Sequence, residues 1–130
     1  MNNQQIEEHN KKVRKSLIKF MKQEGLEITP DTYYPYRAVG YLTKDQEFTK
    51  GKVPFMFIQK LNDLWSFGGI VSSCGFHKCE LCGKAKSSSE KILIDHNNKI
   101  RYIFPELLFH YIKNHKFLPS QDFIKFILSK

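Results

Sequence analysis

Apolar residues near the start of the chain recur at helical intervals. Val13, Leu17, Phe20 and Met21 stand at i, i+4, i+7 and i+8, with Ile6 further back on the same stripe. That spacing predicts an amphipathic helix, and Gly25 sits where a left-handed C-terminal cap belongs. The other face carries Lys11, Lys12, Arg14, Lys15, Lys19 and Lys22. A basic amphipathic helix can lie on a membrane or bind a partner. More often such a stripe packs on its own domain, and that packing is the expectation here.

The pattern then changes period. Residues 29–43, T-P-D-T-Y-Y-P-Y-R-A-V-G-Y-L-T, read as extended chain. Thr, Tyr and Val favour strands, while Pro30 and Pro35 forbid a helix and confine any strand to an edge or to the piece after Pro35. After a polar loop over 44–52, Pro54 opens a second helix at its favoured first-turn position. Phe55, Ile58, Leu61 and Trp65 follow at helical spacing, and Phe57 and Leu64 widen the apolar face, so this helix is predicted to be central and to end at Gly68-Gly69.

Residues 72–83 read as a turn built on C-x2-C-G, and residues 87–89 as a Ser-rich loop. Two short apolar runs follow, Ile92-Leu93-Ile94 and Ile100-Arg101-Tyr102-Ile103-Phe104, around the polar tip 95–99. They predict a β-hairpin whose tip uses the tolerance of Asn for left-handed conformations. Pro105 and Glu106 are expected to start a helix carrying Leu108, Tyr111, Ile112 and His115. Pro119 prevents its continuation, and Ser120 is placed to cap a last helix bearing Phe123, Ile124 and Ile127.

Composition fits one compact domain. Of 130 residues, 41% are hydrophobic, and 11 Phe, 6 Tyr and 1 Trp supply a core. The chain has no run of 18 apolar residues, and its first residues lack the apolar stretch of a secretory signal, so a cytoplasmic protein with no membrane partner is expected. The net charge is +8. Residues 1–24 carry six basic and three acidic groups, residues 25–73 five of each, and residues 74–130 ten and five. A basic surface attracts polyanions, but these are mostly scattered lysines rather than the arginines suited to bidentate phosphate contacts, so a solvated surface is the simpler reading.

The chemistry concentrates in Cys79-x2-Cys82 and, after a gap of 27 residues, His110-x4-His115. Three cysteines within nine residues make a poor disulfide framework, whereas two thiolates and two imidazoles suit a tetrahedral, structural zinc ion. In a regular helix, residues five apart diverge by about 140°. His110 and His115 can therefore share a metal only if the last turn loosens, which Asn114 and Pro119 allow. His77, in H-x-C-x2-C, is the main rival fourth ligand. Cys74 is the next, although it reads more simply as a small buried hydrophobe.

Beyond these residues the chain resembles a small family of uncharacterised bacterial proteins, a domain of unknown function. The likeness rests on His77-x-Cys79-x-x-Cys82, Tyr102-x-x-Pro105-Glu106-Leu107 and His110-Tyr111-Ile112-x-x-His115-x-Phe117-x-Pro119-x-x-x-Phe123. In that family a C-x2-C precedes P-E-L-I-x-H-Y-I-x-x-H-x-Y-x-P-P-x-x-F, so Phe117 stands for the usual Tyr and Ser120 for the second Pro. With Arg37-Ala38-Val39-Gly40-Tyr41-Leu42 and Gly51-Lys52-Val53-Pro54 it spans residues 35–128. The resemblance implies bacterial origin and a zinc-like cluster and lends no activity.

An enzymatic alternative exists. Asp95-His96, thirteen residues after the C-x2-C, resembles the opening of HNH nucleases, with Asn97, His110 and Asn114 for the remaining roles. The tip is too short for such a site, and turn geometry alone accounts for Asp95 and His96. No G-x-S-x-G, P-loop glycine run or carboxylate pair with an evident site is present. The expectation is a single α+β domain. Residues 1–28 form an N-terminal amphipathic helix packed on the domain, and residues 29–130 a zinc-binding unit in which zinc clamps a hairpin to a helix. Its role is a non-enzymatic binding module with no catalytic residues, whose partner is a protein or, through the lysines, a nucleic acid.

Overall fold

The computed structural model is described for residues 1–67 and 70–130, by backbone alone over 70–76. One sheet runs in the order β1-β4-β3-β2, with β1 Tyr36–Ala38, β2 Ile70–Lys78, β3 Lys86–Asp95 and β4 Ile100–Pro105. Strands β3 and β4 are the expected hairpin, antiparallel with Ile92 opposite Ile103 and Leu93 opposite Tyr102. Strand β1 is the piece after Pro35. It takes the edge, parallel to β4, with Ala38 opposite Ile103.

Strand β4 is buried on both faces, which is why its sequence shows no alternation. Tyr102 and Phe104 face the larger core with Leu93, against α2 Phe55–Phe67, α3 Leu107–His115 and α4 Gln121–Leu128. Phe123 of α4 lies at its centre, its ring centroid 5.2 Å from Tyr102, 5.5 Å from Phe104 and 6.0 Å from Phe57, all edge-to-face. Ile103 faces the opposite way, into a smaller cluster with Ile6, Ala38 and Tyr41 beneath α1 Asn3–Gln23. The result is an α+β domain in three layers.

Helix α1 begins in a reciprocal cap, in which the Gln5 amide donates to Asn2 Oδ1 and the Asn2 amide to Gln5 Oε1, both at 2.9 Å. Its docking corrects the expectation. Only Ile6 is buried, while Val13, Leu17 and Phe20 remain 48%, 45% and 53% exposed. The helix turns a polar flank inward instead. Glu7 Oε2 accepts from the Ala38 amide (3.2 Å), Asn3 Oδ1 from the Tyr41 amide (2.9 Å), and Arg14 donates to the carbonyls of Tyr33 and Tyr34 (3.1 and 3.0 Å). The reason is the sheet edge. Amides and carbonyls in and beside β1 have no next strand and must be satisfied by polar groups, so residues 3, 7 and 14 dock and the stripe is left roughly 80° away.

Other departures have equally local causes. Residues 87–89 lie in β3 rather than a loop, and β2 is a strand the pattern did not announce, held by pairing with β3 across a bulge between Ser73 and His77. Pro105 ends β4, and α3 starts two residues later at Leu107. The Arg101 amide and Ile103 carbonyl bond toward β1, so the nitrogen of Pro105 faces the same side, past the end of that strand, where no donor is needed. At the hairpin tip Lys99 (φ 55°), not an Asn, takes the left-handed conformation. Helix α2 buries Phe57 and Leu61 fully but leaves Phe55 77% exposed. The expected stop at Gly68-Gly69 lies outside the described residues. Ser120 caps α4 as expected, accepting from the Phe123 amide at 3.4 Å.

Candidate metal centre

Residues 79–85 join β2 to β3. The Cys79 amide donates to the Ala85 carbonyl (2.8 Å), continuing the ladder into the turn, and the Gly83 amide closes it on the Cys79 carbonyl (2.8 Å). Gly83 sits at φ +69°, where a side chain would be strained. The turn aims backbone amides at the Cys82 sulfur. That of Lys84 is the foremost cause holding this exposed thiol below its ordinary pKa, against the opposing effect of burial.

The two histidines come from α3, whose last turn does loosen. The Lys116 amide reaches back five residues to the Tyr111 carbonyl, and the Phe117 amide shares that acceptor at 3.1 Å. Lys116 adopts φ 59° in doing so. This wide turn swings His115 toward His110, and their Nε2 atoms stand 3.2 Å apart. Burial, then the neighbouring His115, pushes the His110 imidazole below its usual pKa.

The four side chains meet, with one ligand atom from each of Cys79, Cys82, His110 and His115 within 4.8 Å of the others. Their separations test the fit. Bond lengths of about 2.3 Å to sulfur and about 2.05 Å to nitrogen, set tetrahedrally around zinc, require edges of about 3.8 Å for S···S, about 3.6 Å for S···N and about 3.3 Å for N···N. The structure has 3.7 Å between the sulfurs, 3.5 Å from Cys79 to His115, 3.3 Å from Cys82 to His110, and 3.2 Å between the histidines. The arrangement is compatible with zinc. Cys79 is also fully buried in the larger core with Leu108 and Tyr111, while Leu81 and Ala85 pack against that core. Burial, followed by the Cys79 sulfur, raises the Tyr111 phenol.

The remaining candidates lie elsewhere. His77 stands edge-on to Tyr41, ring centroids 6.2 Å apart, and is not one of the four. The Cys74 side chain lies outside the described residues. Asp95 is buried at the hairpin tip, accepting from the amides of Asn97 and Asn98 (both 3.1 Å) and from Asn98 Nδ2 (2.9 Å). His96 lies edge-to-face with Tyr34. Neither joins the metal-ligand cluster.

Two buried polar groups had no signal in the sequence. The Tyr41 hydroxyl donates to Glu90 Oε1 at 2.6 Å beneath α1. Lys91, also buried, donates to the Trp65 carbonyl at 2.6 Å and so caps the end of α2. Glu90 and Lys91 are neighbours in β3 and so point to opposite faces of a sheet covered on both sides, and nothing in the alternation says that either finds a partner.

Among the described residues, no helix is long and apolar enough to cross a membrane. A family described as Domain of unknown function (DUF7919) matches residues 14–128. No curated protein and no solved structure matches the chain.

Proposed function

The chain belongs to this family of unknown function, and we propose that it is a bacterial, non-enzymatic binding module of the cytoplasm whose structural zinc is held by Cys79, Cys82, His110 and His115. The observation that carries this is the meeting of four donor atoms within 4.8 Å of one another, with sulfurs 3.7 Å apart and imidazole nitrogens 3.2 Å apart. Four protein ligands leave no open position for a substrate or an activated water, which separates a structural site from a catalytic one. The position of the cluster supports the same role, since it ties the turn between β2 and β3 to the end of α3. The turn engagement of Asp95 favours this reading over a nuclease. Protein purified without added metal should carry about one equivalent of zinc, reduced to background in Cys79→Ser. Less than half an equivalent in the unmodified protein overturns the zinc assignment.

A nucleic-acid partner is the second reading. It is favoured by Lys78, Lys84, Lys113 and Lys116, all exposed and each within three residues of a ligand. Phosphate contacts through such lysines make affinity fall steeply with salt. Fluorescence anisotropy with a labelled oligonucleotide, read at low and moderate salt, tests it. No binding at low salt, or binding indifferent to salt, removes this reading.

A further inference from the structure

We propose that the exposed stripe of α1 is a docking surface for an anionic lipid bilayer. Packing of Val13, Leu17 and Phe20 on the domain would have removed them from interaction with anything else. They are instead about half exposed, because backbone groups in and beside β1 are satisfied by Asn3, Glu7 and Arg14 from the adjoining flank. Residues 11–22 contain six cations and no acid, and Lys11, Lys12, Lys15, Lys19 and Lys22 are exposed. Lys12 and Lys19 lie roughly 100–120° around the helix from the stripe, on its open side. From there their aliphatic stems can run along an interface while the ammonium groups meet headgroups.

Three occupants compete for such a surface, and charge and shape choose among them. A second copy would set five exposed lysines against five more, so like charge opposes self-association. A nucleic acid rewards the cations but not Leu17 and Phe20. An acidic protein groove rewards both but must match a convex ridge in shape. An anionic bilayer rewards both and deforms around the ridge. Basic residues beside bulky apolar ones on a helix are the features that hold an interfacial helix in the plane of the headgroups. The helix would lie on the membrane, with the domain beside it.

The test is co-sedimentation of the full zinc-loaded chain with vesicles of phosphatidylcholine alone, or of phosphatidylcholine with phosphatidylglycerol as minor component. Binding is expected only to the anionic vesicles and should weaken with added salt. It should fall at least about tenfold in Leu17→Ser/Phe20→Ser and comparably in Lys12→Glu/Lys19→Glu, with circular dichroism unchanged. Binding that survives Leu17→Ser/Phe20→Ser overturns the proposal and leaves a simple polycation, as does equal and equally insensitive binding to a duplex oligonucleotide. If neither vesicle binds, the proposal fails.

Discussion

Helices α1 and α3 both carry apolar residues at helical spacing beside basic ones, yet they meet opposite fates. In α3, Leu108, Tyr111 and Ile112 are buried against Phe104, Phe123 and the turn that bears Cys79. In α1 the stripe stays half exposed and a polar flank docks. The difference lies in what stands opposite each helix. Helix α3 faces the apolar side of a sheet, where burial of side-chain surface is the dominant gain. Helix α1 meets the edge of that sheet as well, where unpaired backbone groups cost more than a few exposed methyls. Periodicity tells which face is apolar. It does not tell which face is covered.

Four perturbations would break or sharpen that contrast, and their effects should descend in order. Treatment with a zinc chelator, or Cys79→Ser, should cost at least about 4 kcal/mol, because the proposed zinc would close the turn onto α3 and Cys79 is fully buried. Thermal melts before and after chelation check this, and unchanged stability would dismiss the clamp. Phe123→Ala should cost about 3–5 kcal/mol in denaturant titration, since its ring touches Phe57, Tyr102 and Phe104. On the α1 side, Glu7→Ala deprives the Ala38 amide of its acceptor and should cost about 1–2 kcal/mol. Leu17→Ser should change stability by less than about 0.5 kcal/mol. If Leu17→Ser instead proves as costly as Glu7→Ala, the stripe packs in solution and the polar account of α1 docking is wrong.

Much of the fold was legible because strong local rules governed it. The β3–β4 hairpin followed from two apolar runs around a polar tip, α4 from Ser120 and its Phe123-Ile124-Ile127 face, and the start of β1 after Pro35 from the prolines before it. Strand β2 was hidden because Ser72, Ser73 and Gly75 carry little strand preference, and its pairing with β3 is a long-range fact. Pro105 misled by two residues because a proline tolerated at a first helical turn is equally tolerated where a strand loses its neighbour. The metal cluster showed the same division. Spacing named all four residues that meet, but it also offered His77, which packs on Tyr41 instead.

By itself, then, the order of residues determined that this chain is an α+β domain with a two-cysteine turn, a hairpin and a two-histidine helix. Those features depend on contacts within a few residues, where propensity and ligand spacing are decisive. Only tertiary structure decided that the last turn of α3 opens far enough for His110 and His115 to share a point, because the segment after it is held by a distant loop, the Gly51 amide donating to the Lys116 carbonyl and the Leu118 amide to the Thr49 carbonyl, both at 2.9 Å. Tertiary structure also decided that α1 turns its polar flank inward, because the edge of β1 must find hydrogen-bond partners from another part of the chain.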